Sequence, residues 1–128
     1  MAARLSDWET RFAAYLADAH VRVRAGKRHY CALFAAGAVK AVTGSDPSKP
    51  FRGKYAETAA RLEAAGDDYF DERPAALAQR GDLAWHDGSV GVVIGSEALF
   101  VGENELGEPD LVRVHRRDWV KAWAVGNG

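Results

Sequence analysis

The sequence predicts an α+β domain, with helices in its first half and an antiparallel sheet in its second. Three observations carry this expectation. Up to about Ala65, apolar residues recur at helical spacing. From Arg80 onward, the pattern changes to short runs rich in Val, Leu, Phe and Trp, several of them alternating. Between two of those runs stands Asp87-Gly88, a favoured two-residue hairpin turn. With 128 residues and no repeat, linker or low-complexity stretch, the chain reads as one domain spanning 1–128.

The elements follow in order. Ser6-Asp7-Trp8-Glu9 fits a capping box, and Trp8, Phe12, Tyr15, Leu16 and Ala19 form one apolar stripe, predicting a helix from about Asp7 to Ala19. His20 to Tyr30 is basic and reads as irregular, punctuated by Gly26. A second helix starts near Cys31. Its apolar residues lie on every face, which predicts burial on most sides, with Lys40 on a narrow exposed edge and Gly44 just past the end. Ser45 to Pro50 is a loop. A third helix is expected from about Tyr55 to Ala65, with Tyr55, Ala59 and Leu62 inward and Gly66 as its stop. The acidic Asp67 to Glu72 reads as a solvated turn with Tyr69 or Phe70 anchored inward, and Pro74 to Leu77 as a short helical turn.

The strands expected next are Asp82 to His86, Val90 to Ile94, Ala98 to Val101 and Leu111 to His115. Trp119 to Val125 is a final helical turn or strand, so the sheet should hold about four to five strands.

Composition excludes several classes. Hydrophobic residues are 48% and charged residues 27%, an ordinary globular balance, and a net charge of −1 points to neither nucleic acid nor an anionic membrane as partner. The single cysteine rules out an intrachain disulfide. No His, Cys, Asp or Glu set has ligand spacing, so neither a metal nor another cofactor is expected. No apolar run approaches a membrane span, and the first residues have no apolar signal core, so synthesis in the cytoplasm is expected.

Chemistry centres on Cys31, in His29-Tyr30-Cys31-Ala32-Leu33-Phe34. A thiol at a helix N-terminus feels unpaired N–H groups and the positive end of the dipole, which suits a nucleophile. A lone Cys among Ala, Leu and Phe equally suits a small buried hydrophobe. A nucleophile also needs a base and a group to orient it.

A helix starting at Cys31, then Arg80-Gly81-Asp82-Leu83, then Val90-Gly91-Val92-Val93-Ile94-Gly95, resembles the NlpC-type cysteine peptidases, bacterial members of the papain-like superfamily. The stretch from about Asp7 to Val125 is more similar to small phage-tail and prophage proteins related to them. That likeness rests on Cys31 to Ala36, Ala41 to Gly44, Arg52 to Tyr55, Gly81 to Leu83, Ala98 to Gly102 and Lys121 to Trp123. The resemblance implies a papain-like fold, a Cys that attacks a peptide carbonyl in peptidoglycan, a His base and a polar residue that orients the His. It also implies a place in a virion tail, with other tail hub or tip proteins as partners.

The sequence departs from that pattern at two roles. The base position before Val90-Gly91 holds Ser89, which cannot act as a base near neutral pH. The orienting position falls near Val101. His86 offers a replacement base. Across an Asp87-Gly88 turn it faces Ser89, with Cβ atoms about 5 Å apart. Asp82, Ala84 and His86 share one face, and Ala84 and Gly91 are small enough for the Cys31 helix to approach. Asp82 and Ser89 are then the possible partners of His86. Three functions compete: a tail building block with catalysis reduced or lost, an active endopeptidase or amidase using Cys31 and His86, and, more distantly, a host-encoded ligand-binding or inhibitory module that shares the fold. For a partner surface, Phe51, Tyr69, Phe70, Trp119 and Trp123 are the leftover aromatics.

Overall fold

The computed structural model describes residues 3–26, 31–47 and 59–126. Its order is α1 (Trp8–Arg24), α2 (Cys31–Thr43), α3 (Ala59–Tyr69), β1 (Asp71–Arg73), β2 (Leu83–His86), β3 (Ser89–Val93), β4 (Glu97–Glu103), β5 (Pro109–His115) and β6 (Lys121–Ala124). Short 3-10 turns occupy Ala75–Leu77 and Arg116–Asp118. The class is α+β, as expected. The sheet, however, has six antiparallel strands in the order β1-β6-β2-β3-β4-β5, more than the four to five expected.

The extra strands come from the two segments whose type sequence leaves open. Asp71–Arg73, read as part of a solvated turn, is an edge strand paired with β6. The C-terminal Trp segment inserts between β1 and β2. Strand β1 has no alternation to betray it, because an edge strand of three residues is defined by its ladder and not by a buried face.

Helix α1 runs five residues past its expected end at Ala19. Nothing breaks it before Gly26, whose φ of +75° closes the turn. The segment His20 to Arg24 is a helical turn whose charges face outward while Val23 is buried, and Arg22 and Arg24 suit the negative end of the dipole. The capping box is not formed. Asp7 is the N-cap, without a side-chain hydrogen bond, and the start is held by Trp8 N–H donating to the Leu5 carbonyl. The apolar stripe holds as read: Phe12 and Ala19 are buried, and Trp8, Tyr15 and Leu16 pack on the core.

Helix α2 ends where expected, with Gly44 at φ +79° after Thr43, and Lys40 is exposed. It lies antiparallel to α1. Leu5 N–H and Arg11 Nε donate to the Val42 and Ala41 carbonyls, and Tyr15 Oη donates to the Phe34 carbonyl. Gly37 lets the Tyr15 ring reach the α2 backbone, because a Cβ there would overlap it.

Helix α3 passes through Gly66, which does not stop it. That glycine lies under Trp123, where a Cβ would sit 2.5 Å from the indole Cζ2. Its role is close packing and not termination. Ala59, expected inward, is exposed, whereas Leu62 is buried. Tyr55 lies outside the described residues.

The helices cover one face of the sheet. Phe12, Phe34, Val39, Val42 and Leu62 meet Leu83, Trp85, Val90, Val92, Leu99 and Trp123 there. The other face carries Ala84, Val93, Ala98, Phe100, Trp119 and Ala122. Successive residues in β2, β4 and β6 alternate between the two sets, as the pleat requires. Both faces are therefore occupied.

Candidate functional site

Cys31 is the first described residue of α2 and is half-buried. It packs against the cluster on the helix-covered face, with Val101 against the same cluster. Thus the geometry at the sequence's orienting position is apolar. His29 and Tyr30, which precede the thiol, lie outside the described residues.

The hairpin forms as expected. Asp87 and Gly88 have φ of 48° and 73°, both positive as a type I′ turn requires, and His86 is paired with Ser89. What differs is the face on which His86 lies. The expectation placed the Cys31 helix against the Ala84 and Gly91 side. The helices instead pack on Leu83, Trp85, Val90 and Val92, the residues between. The space over Gly91 is filled by Phe100, which a Cβ would meet at 2.6 Å. Large side chains bury more area than small ones, so the helices settle on the Leu, Trp and Val face. His86 accordingly stands on the opposite side of the sheet from Cys31. Its ring lies edge-on to Phe100, 5.8 Å between centroids, and Nδ1 donates to the Asp118 carbonyl at 2.9 Å. Ser89 accompanies it there, half-buried.

The other described histidines are engaged elsewhere. His20 approaches Asp110 at 3.7 Å, and His115 Nδ1 accepts from the Arg117 N–H at 3.2 Å. Among the described residues, no histidine bonds to the Cys31 thiol.

Asp82 is not a partner of His86. It is fully buried just before β2 and accepts four hydrogen bonds, two on each oxygen. Oδ1 takes Arg4 Nη2 at 2.9 Å and the Val125 N–H at 3.0 Å. Oδ2 takes Arg73 Nη1 at 2.9 Å and the Gln79 N–H at 2.8 Å. Four segments are thereby joined: the approach to α1, the end of β1, the loop before β2 and the residue after β6. Arg4 adds bonds to the Val125 and Arg80 carbonyls and stacks on Trp8 at 4.4 Å. Burial pulls the Arg4 guanidinium below its ordinary pKa, against the pull of Asp82. Sequence reading missed this hub. Its one signal was the Arg-Gly-Asp-Leu order opening a strand, which the resemblance absorbed.

A second polar cluster surrounds Lys121 on β6, which pairs with Glu63 at 2.8 Å, Asp67 at 2.9 Å and Glu72 at 3.4 Å. Trp123 Nε1 also donates to Asp67. Burial opposes the charge on Lys121, but its hydrogen bonds to Glu63 and Asp67 prevail and its pKa is raised.

Of the aromatics set aside for a partner, Phe70, Trp119 and Trp123 are buried; only Tyr69 is exposed, and Phe51 lies outside the described residues. Among the described residues, no group of three or more His, Cys, Asp or Glu could hold a metal, and no helix is long and apolar enough to cross a membrane.

The fold is thus a two-layer α+β domain in which, among the described residues, the most buried polar group is a structural carboxylate, and whose one thiol lies on the central helix. The chain belongs to the family described as a domain of unknown function, DUF6950, whose profile matches residues 3–125. Neither a curated protein nor a solved structure matches the chain.

Proposed function

We propose that this chain is a papain-like domain of NlpC type used as a building block of a phage or phage-like tail, with catalysis lost. The observation that carries the loss of catalysis is the placement of Cys31 and His86 on opposite faces of one sheet. A general base must come within hydrogen-bond reach of the thiol, directly or through one water. Here the sheet itself intervenes. Ser89 shares the His86 face, and Asp82 spends all its capacity on Arg4, Arg73 and two backbone N–H groups. The tail assignment rests on the resemblance of the Cys31, Gly81 and Ala98 segments to tail-associated relatives of the peptidases.

Two measurements test the two halves. Incubated with peptidoglycan fragments, the purified protein should release no cleaved stem peptides. Release that disappears in Cys31→Ala would restore the endopeptidase reading. Mass spectrometry of purified particles should find the chain in the tail fraction. Its absence from particles of a phage that encodes it would sink the tail reading.

A further inference from the structure

The sheet face turned away from the helices carries a concave site of its own. The 3-10 turns Ala75–Leu77 and Arg116–Asp118 lie against each other, and at their junction is a cleft of about 350 Å³. Its walls are Ala75, Ala76, His115, Arg116, Arg117 and Trp119. We propose that this cleft binds an anionic group carried on an apolar body: a carboxylate or phosphate attached to a flat ring or a short aliphatic group.

The charge balance is the first reason. Arg116 Nη1 donates to the Ala75 and Ala78 carbonyls at 2.6 and 3.0 Å, and Nη2 to the Gly95 carbonyl at 2.8 Å. These carbonyls fix the guanidinium without neutralising it. Arg117 is exposed beside it. Among the described residues, neither arginine pairs with a carboxylate, that of neighbouring Asp118 included, whereas Arg4, Arg22, Arg24, Arg73, Arg113 and Lys121 all do.

Preorganisation is the second. An arginine has five N–H donors, and three are spent on carbonyls, which leaves Nε–H and one Nη2–H. A guanidinium already immobilised loses little rotamer freedom when an anion arrives. His115 accepts the Arg117 N–H through Nδ1, so its ring proton sits on Nε2 as another donor.

The third is shape. Trp119 is buried, its indole N–H tied to the Val114 carbonyl, and Arg116 stacks over it at 5.2 Å. With the Ala75 and Ala76 methyl groups it makes an apolar wall next to the charge. The volume lies within the range of small-ligand sites.

The test is a titration of the ¹⁵N-labelled full chain, followed by NMR, with benzoate, phenyl phosphate, inorganic phosphate and benzyl alcohol as probes. Benzoate or phenyl phosphate should shift the Trp119 indole N–H and the Ala75 and Ala76 amides saturably; the tighter of the two identifies the anion. Arg117→Ala should weaken binding about fivefold, the effect of losing one exposed ionic contact. Arg24→Ala, at a separate ion pair, should leave binding unchanged. Arg116 holds two turns together, so its removal is not used. Benzyl alcohol binding as tightly as benzoate, inorganic phosphate binding as tightly as phenyl phosphate, shifts spread over every basic surface, or an unchanged affinity in Arg117→Ala would each overturn the proposal.

Discussion

Replacing Asp82 by asparagine tests the central structural claim. The change keeps size and shape and removes only the charge and two acceptor sites. Each carboxylate oxygen receives one guanidinium and one backbone N–H. Whichever way the new amide is turned, its NH₂ faces an arginine and a backbone N–H, donor against donor. Breaking one side of a buried pair costs about 3–5 kcal/mol, because the surviving charge is left uncompensated. Arg73 retains 22% side-chain exposure and Arg4 9%, so water recovers part of this and the lower end applies. The expected loss is about 3 kcal/mol, a large share of the about 5–15 kcal/mol that stabilises a domain. Urea unfolding at neutral pH measures it as a shift in midpoint at constant slope. Asp18→Asn is the control, since it breaks an exposed pair with Arg22 and should cost about 0.5 kcal/mol or less. A loss in Asp82→Asn below about 1 kcal/mol would refute the hub, because it would mean that its donors find other partners as readily in the native fold.

Other outcomes follow from the same geometry. Gly66→Ala should lose about 1–3 kcal/mol by overpacking against Trp123, despite the better helix propensity of alanine; thermal unfolding reads the sign. Tyr15, its pKa raised to about 12 by burial, should be late to ionise in an absorbance titration. Its neutral form is favoured in the folded state, so that contribution is whole below the ordinary tyrosine value near 10 and is lost as pH rises through about 12. Tyr15→Phe should cost about 1 kcal/mol and remove that alkaline sensitivity. Burial raises the Asp67 pKa, but hydrogen bonds from Lys121 and Trp123 outweigh it and the net shift is downward. Its stabilising effect is therefore present above the ordinary carboxylate range and fades as pH falls below about 4; Asp67→Asn should flatten acid unfolding over that window.

How much was legible in the sequence depended on whether a signal was local. The end of α2 at Gly44 was readable because a positive-φ glycine is written in the local sequence. The Asp87-Gly88 turn and the pairing of His86 with Ser89 were readable for the same reason. Period two also separated Ala84 and His86 from Leu83 and Trp85 correctly.

Which of those two faces the helices would cover was not readable. Alternation defines two sets and does not say which neighbour each will meet, and here both are largely apolar. The choice fell to the set with more area to bury, Leu83, Trp85, Val90 and Val92, and it put His86 across the sheet from Cys31. Gly66 misled in a similar way. Its residue type signals a helix end, but its function comes from Trp123, 57 positions later by number, pressing on the same backbone. Asp82 looked like a catalytic partner because an acidic residue near a histidine is a local pattern. Its actual partners, Arg4, Arg73, Gln79 and Val125, come together only when the chain's two ends close on the sheet. Sequence alone thus determined the class of fold, the end of the helix that carries the thiol, and the hairpin. Tertiary structure decided the reach of that thiol, since reach depends on which faces pack together, and packing compares areas across the whole chain.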